Sequence, residues 1–538
     1  MRAWIPDALK HRLLGGLRRL DPDREIVAAE FDAAWYLRAY PDIAEAGVEP
    51  LAHFLAFGWK EGRDPNPRFS IREYLNEYPD VAKAGVNPFV HFLKSGAAES
   101  RAPRPDLGFR YDIIARLTPV EKRVAQAMRA RVATQGRAVL DAALARSRGG
   151  LRELHVTFSH DDYSANLGGV QAGLQREAAR LAELGRDHLH IHPAAPWPVV
   201  REAGESAPLG VVWNGVAVGA FTGETVAGAL RSAAAGPADG RSFAIHSLLG
   251  HAADETADIL AAVGLTEGFF WLHDFASLCA GYHLLRDDVE DCAAPPPDSA
   301  ACGICAYGSW RGRHLAEHER LFRRLKLTVV SPSQATLDLW QGAWDFPAAG
   351  AIVHPHARLK ARGPAPEVPA DRPFRLAYAG LPVPHKGWPV FRDLVQKHAD
   401  DPRYEFLHLG ARSVPDLPVR FIEAAVRPGD PLAMQRALEA AQADAVLVWP
   451  LCRETFSFIA YEAVAAGCAL LTGPDSGNVA AFVRDGGHGL VLADETALAR
   501  AFESGDITAL SRARRRPMLH DLEFSALTVD LLRETRPA

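Results

Sequence analysis

The hydrophobic pattern of this chain falls into two regimes. Between residues 31 and 105 apolar and aromatic positions recur in a 38-residue internal repeat. Phe31-Asp32, Tyr36-Leu37, Tyr40-Pro41-Asp42, Ala46-Gly47-Val48, Pro50, His53-Phe54-Leu55, Gly58, Glu61, Arg63 and Pro65 come back as Phe69-Ser70, Tyr74-Leu75, Tyr78-Pro79-Asp80, Ala84-Gly85-Val86, Pro88, His91-Phe92-Leu93, Gly96, Glu99, Arg101 and Pro103. Each unit reads as two short helices, the first stopped by Gly47 or Gly85 and the second started by Pro50 or Pro88. Neither helix buries its aromatic face alone, so the units are expected to pack on each other. A Pro-rich break follows, and residues 118–148 read as a long helical linker within a 106–150 connection.

From Leu154 onward the pattern changes to short apolar runs alternating with helical stretches. Leu154–Ser159, Val211–Trp213, Phe243–Ile245, Phe269–Leu272 and Leu327–Val330 belong to one such series. Phe374–Ala379, Glu405–Leu409 and Ala445–Trp449 belong to a second, after a Pro-rich linker from Arg362 to Pro373. Strands alternating with helices imply parallel sheets. The expected class is therefore α/β, with two Rossmann-like domains (151–361 and 362–538) facing across a cleft behind an all-α repeat domain.

Composition narrows the function classes. The 538 residues suggest three or four domains at about 150 residues each. A net charge of −6 gives no global pull on nucleic acid or anionic membranes. No apolar run is long enough for a transmembrane helix, no signal-peptide core is present, and six cysteines make no secreted scaffold. A cytoplasmic location is expected. In the segment 1–30, Leu9, Leu13, Leu14, Leu17 and Leu20 recur among Lys10, Arg12, Arg18 and Arg19. Such a helix can lie on the inner face of a membrane or dock on the chain's own helical domain.

The most informative segment runs from Glu454 to Glu462 (Glu-Thr-Phe-Ser-Phe-Ile-Ala-Tyr-Glu), between an apolar run and a second one at Cys468–Thr472. Eight residues of helix turn a side chain by roughly 800° and rise about 12 Å, so a continuous helix points the acids apart. A helix that starts after Glu454 lets the first acid turn back over the strand ends, where open parallel sheets bind ligands. Two acceptors suit a polyhydroxylated ligand. The amides of Thr455, Phe456 and Ser457 can face a phosphate or a sugar oxygen.

This segment resembles the E-x7-E signature of retaining nucleotide-sugar glycosyltransferases of the GT-B fold, of the family-four type. The resemblance implies that Glu462 binds the nucleotide ribose and Glu454 the transferred sugar. Gly169, in Asn166-Leu167-Gly168-Gly169-Val170-Gln171, matches the family's Gly-rich loop near donor phosphate and acceptor. Tyr378–Trp388 resembles its G-R-L-x-x-x-K-G motif, with Lys386 as the diphosphate cation. Leu381 stands where Arg is usual, which leaves Lys386 with His385 or Arg453 to compensate. The Ser476-Gly477-Asn478 loop would give backbone contacts to the diphosphate, although the acid that usually follows is missing. Repeats similar to those of residues 31–105 accompany bacterial polysaccharide glycosyltransferases. They are read first as a scaffold, with a glycan, a partner protein or a second subunit as the alternative ligand.

Two histidines end strands of the first domain. His246 and the pair His273-Asp274 are placed on the acceptor side of the cleft, and the resemblance puts His273 near the reacting carbon. His273, Glu454 and Lys386 are the expected catalytic groups, with no catalytic metal. Cys279, Cys292, Cys302 and Cys305 form a C-x12-C-x9-C-x2-C pattern that fits a structural zinc, with unligated thiols as the alternative. The whole reads as a transferase moving a sugar, with retention, from a nucleotide sugar to a glycan, a lipid-linked glycan or a protein. A non-catalytic nucleotide- or glycan-binding scaffold and a GT-B phosphorylase or epimerase are the alternatives.

Overall fold

The computed structural model describes residues 22–534, apart from 235–237, 239, 368, 370, 416, 426–428 and 514–515. The leucine-spaced segment Leu9–Leu20 lies outside the described residues. Among the described residues no helix is long and apolar enough to cross a membrane. The described residues divide into two compact units, one comprising 22–118 with 286–289 and 295–309, the other the remainder of the described residues.

In the first unit each repeat holds three short helices rather than two. They are Ala33–Ala39, Pro41–Glu45 and Pro50–His53, then Ile71–Glu77, Pro79–Ala84 and Pro88–His91. The expected first helix is cut at Pro41 and Pro79, which lack the N–H needed to continue it. The third runs on through a π-helical turn to Gly58 or Gly96. The repeat signature is a set of contacts. Tyr36 Oη lies 3.0 Å from His53 Nδ1, and Tyr74 Oη 3.1 Å from His91 Nδ1. Arg63 clasps Asp42 and lies over the Tyr40 ring, as Arg101 does with Asp80 and Tyr78. Phe54 meets Phe89 across the repeats in one aromatic core. His53 is thus a core-edge residue. The helix Ala300–Ile304, expected to belong to the first α/β domain, packs instead against Ala33–Ala39 within this unit.

The second unit begins before the first strand. Residues 118–148 are not one linker helix but two helices, Val120–Arg129 and Arg137–Leu144. The second buries Leu140 and Leu144 in the core of the following domain, so the apolar stripe read as linker is core.

The first sheet contains β1 (Leu154–Phe158), β2 (Asp187–Pro193), β3 (Leu209–Trp213), β4 (Val216–Phe221), β5 (Ser242–Ile245), β6 (Glu267–Trp271), β7 (Lys326–Ser331) and β8 (Gly350–Val353). Its order is β8-β7-β6-β5-β1-β2-β3-β4, all in one direction except β3, which runs antiparallel to both its neighbours. Strand order reverses between β1 and β5. After β9 (Ala357–Pro364) the second sheet is built from β10 (Phe374–Ala379), β11 (Tyr404–Gly410), β12 (Arg420–Glu423), β13 (Ala445–Leu447), β14 (Ala469–Thr472) and β15 (Gly489–Val491). All are parallel, in the order β12-β11-β10-β13-β14-β15. This is the Rossmann order, with its reversal between β10 and β13.

The chain then returns. β16 (Met518–Phe524) pairs antiparallel with β9, and the helix Thr528–Glu534 reaches the first domain. There Trp271 Nε1 donates to Thr528 Oγ1 at 3.0 Å, and Leu527 and Leu531 pack with Ala244 and Val330. The expected second domain therefore gives up its last helix to the first.

Candidate functional site

A cavity of about 560 Å³ opens at the carboxyl ends of β10 and β13, where the order of the second sheet reverses. In parallel sheets the loops leaving neighbouring strand ends separate at such a reversal, which leaves a crevice. The second domain lines it with Tyr378 to Leu381, His385, Lys386 and the stretch from Glu454 to Ile459. The first domain contributes Gly169, Val170 and His273, and His356 closes it from the segment before β9.

Local backbone explains how the charged pair reaches the cavity. Gly387 sits at φ +85°, and a Cβ there would come within 2.1 Å of the Trp449 carbonyl, so only glycine lets the Lys386 turn pack on the chain that leaves β13. On the other side Glu454 bridges to Gly477, which has φ +62° and leaves no room for a Cβ beside the Glu454 backbone. Asn478 N donates to Glu454 O at 2.8 Å, and Asn478 Nδ2 donates to Phe456 O at 2.9 Å. Ser476 is buried and donates to Gly473 O. The Ser476-Gly477-Asn478 loop therefore supports the Glu454 loop and does not line the cavity.

The helix begins at Phe458, after Ser457 in the left-handed region at φ +71°. Thr455 and Phe456 thus precede the helix rather than forming its first turn. A non-glycine residue held left-handed costs on the order of 1–3 kcal/mol and persists only where its surroundings impose it. Here Thr455 Oγ1 donates to His273 O at 2.8 Å, and Thr455 O accepts from Ser333 Oγ at 2.8 Å. These bonds tie the Glu454 loop to the first domain.

Lys386 Nζ lies 2.5 Å from Glu454 Oε1, so the two expected donor groups are paired with each other. Burial works against the ammonium charge, but the Glu454 carboxylate outweighs it and holds Lys386 above its ordinary value. Arg453 is engaged bidentately by Asp291 at 2.9 and 2.7 Å. His385 lines the cavity and stacks on His283, and burial lowers its pKa. Leu381 also lines it and is 65% exposed.

Glu462 lies one helical turn beyond Phe458 and Ile459. It is 3% exposed and does not line the cavity. Burial alone raises its carboxyl to about 7. Asp274 does not line the cavity either. Its Oδ1 accepts from Ala276 N at 2.8 Å and so holds the turn after β6, while burial raises its pKa. His246 is buried beneath His273, with Nδ1 2.8 Å from His273 Nε2.

Cys279 and Cys292 belong to the second unit, and Cys302 and Cys305 to the first. Among the described residues no group of three or more His, Cys, Asp or Glu is placed to hold a metal ion.

Sequence reasoning missed Glu177 and His356. Glu177 is fully buried on the helix Gly169–Glu183, on the stripe of Leu174 and Leu181. His356 follows β8 in His354-Pro355-His356. The available signal was a carboxylate at an apolar position, Leu174 to Glu177 to Leu181, on the helix that follows the Gly-Gly turn.

No family model and no curated protein matches the chain. Solved structures do. An α,α-trehalose-phosphate synthase (UDP-forming) from Burkholderia vietnamiensis is similar at 12% identity, with 68% of this chain and 92% of that chain covered and a TM-score of 0.38. Anabaena HepE in complex with UDP and glucose is similar at 14% identity, covering 71% and 99% with a TM-score of 0.41. The pneumococcal O-GlcNAc transferase GtfA is similar at 12% identity, covering 55% and 56% with a TM-score of 0.36. At these identities and scores the likeness assigns no activity to this chain.

Proposed function

We propose that the chain is a glycosyltransferase that binds a nucleotide sugar in the cavity at the β10–β13 reversal and transfers the sugar with retention. One observation carries the reading. A lysine and a glutamate converge, ion-paired, in a cavity of about 560 Å³ at the switch point of a Rossmann-ordered sheet, closed by His356 from the segment before β9. That volume lies within the roughly 300–1,000 Å³ of small-molecule sites.

A diphosphate entering beside Lys386 competes with Glu454 for the ammonium. Lys386 then neutralises the charge that grows on the leaving nucleotide, where a positioned cation lowers the barrier most. The released Glu454 carboxylate accepts hydrogen bonds from the sugar. The Phe458–Ala465 helix begins at the cavity wall, and free amides at a helix start favour anionic oxygens. The cavity holds no second carboxylate facing Glu454 among its described lining residues, which argues against a glycosidase-type acid pair. The acceptor, a glycan, lipid-linked glycan or protein, is placed on the His273 and Gly169 side.

Thermal stabilisation across UDP-, GDP-, ADP- and TDP-sugars, with Glu454→Ala alongside, tests this reading. Stabilisation by one donor, weakened in the variant, supports it. Tight binding of a nucleotide with no turnover of any donor supports the non-catalytic alternative, which the exposed Leu381 favours. No response to any nucleotide overturns both.

A further inference from the structure

The charge of the cavity does not balance its proposed occupant. Among its described lining residues the only Lys or Arg is Lys386, and that ammonium is already paired with Glu454. The lining histidines His273, His356 and His385 are all held below their ordinary pKa, by burial first, and are neutral at pH 7. The lining therefore carries no net charge. A nucleotide sugar brings a doubly charged diphosphate, which gives up hydration on entering and needs positive charge in return.

Arg176 is an unmatched cation against the wall of this cavity. It stands on the helix Gly169–Glu183, two turns beyond Gly169 on the same face, and helical side chains lean back toward the helix N-terminus. Its guanidinium carbon lies 5.5 Å from the centre of the Phe458 ring and 4.7 Å from that of Phe524. The Phe458 ring also abuts Gly169, where an added Cβ would come within 3.4 Å of it, and stacks on His356. Gly169, His356 and Phe458 line the cavity, and Arg176 does not. One aromatic ring is thus shared between the cavity and the guanidinium.

No carboxylate pairs with Arg176 among the described residues. Its Nε and Nη2 are buried without a hydrogen-bond partner. Burial, with no charged neighbour to oppose it, lowers its pKa to about 10, so it stays protonated at pH 7. A buried charge left unpaired is costly. The two ring faces attract the guanidinium without cancelling its charge. That charge is felt at the cavity, because after burial Arg176 is the largest influence keeping His356 neutral.

We propose that Arg176 supplies the positive charge that balances a diphosphate in the cavity, acting across the Phe458 ring rather than by direct contact. That the anion is a diphosphate rests on the function proposed above. A unit charge about 10 Å away, at an effective dielectric of about 20, changes the affinity for an anion by about tenfold.

The experiment is calorimetric titration of the full-length chain with UDP, GDP, ADP and TDP, each beside its uncharged nucleoside. The diphosphate that binds is expected to lose about tenfold in affinity in Arg176→Met, and its nucleoside none. Arg176→Lys, which keeps the charge, is expected to recover most of the loss. Added salt is expected to narrow the gap between the wild type and Arg176→Met. If Arg176→Met does not fold, Arg176→Gln carries the comparison. Equal weakening of diphosphate and nucleoside, or no recovery with lysine, assigns Arg176 to packing and overturns the proposal. Diphosphate binding indifferent to Arg176 overturns this proposal alone. A wild type that binds none of the four diphosphates overturns it together with the proposed function.

Discussion

Glu462 makes the most quantitative prediction. Its carboxyl is 3% exposed, and burial raises its pKa from 4.5 to about 7. Between those values the folded chain holds a proton that the unfolded chain has lost. Stability therefore falls as pH rises through this window, and the loss is complete above about 7. A difference of roughly 2.5 units at about 1.36 kcal/mol each amounts to about 3 kcal/mol. Glu462→Gln keeps the shape and removes the ionisation. Urea unfolding followed by tryptophan fluorescence should give similar midpoints for the two proteins at pH 5. At pH 8 the variant should be the more stable, by up to about 3 kcal/mol. Midpoints with the same pH dependence in both proteins would refute the burial argument.

Three further outcomes are expected. Lys386→Ala should cut kcat/KM by roughly 10- to 150-fold, since a hydrogen bond to a charged group contributes about 1.5–3 kcal/mol; unchanged steady-state kinetics would remove Lys386 from the site. Gly58→Ala would bring a Cβ within 2.3 Å of Tyr36 Oη and should unfold the repeats at lower temperature, with Tyr36→Phe partly rescuing it in the double variant. Additive losses in calorimetry would show that the hydroxyl is not what the glycine accommodates. Metal analysis decides the cysteines: their spacing predicts one equivalent of zinc per chain, and metal-free, fully folded protein would remove zinc from the account.

Much of the second α/β domain was legible. Phe374–Ala379, Glu405–Leu409 and Ala445–Trp449 are apolar runs because parallel strands covered on both faces are apolar throughout. All three are strands, although β13 ends at Leu447. β2 was missed because its polar positions, His188, His190 and His192, are histidines facing buried partners such as Thr157, so the strand does not read as apolar. Lys386, Glu454 and Gly169 were placed in the cavity by local motifs, and they line it. Pairing between Lys386 and Glu454 was not legible, since it depends on how two loops 68 residues apart meet. His273 and His356, whose Nδ1 and Nε2 lie 3.2 Å apart, are 83 residues apart in sequence and meet only through the fold. The break of each repeat at Pro41 and Pro79 was readable from proline alone.

The most direct test of the central claim is proton NMR of the sugar released when the full-length chain slowly hydrolyses the donor that stabilises it. The account predicts that the first sugar released keeps the donor's anomeric configuration, before mutarotation, and that release is lost in Glu454→Ala. Release of the inverted anomer, or hydrolysis unaffected by removing Glu454, would contradict it.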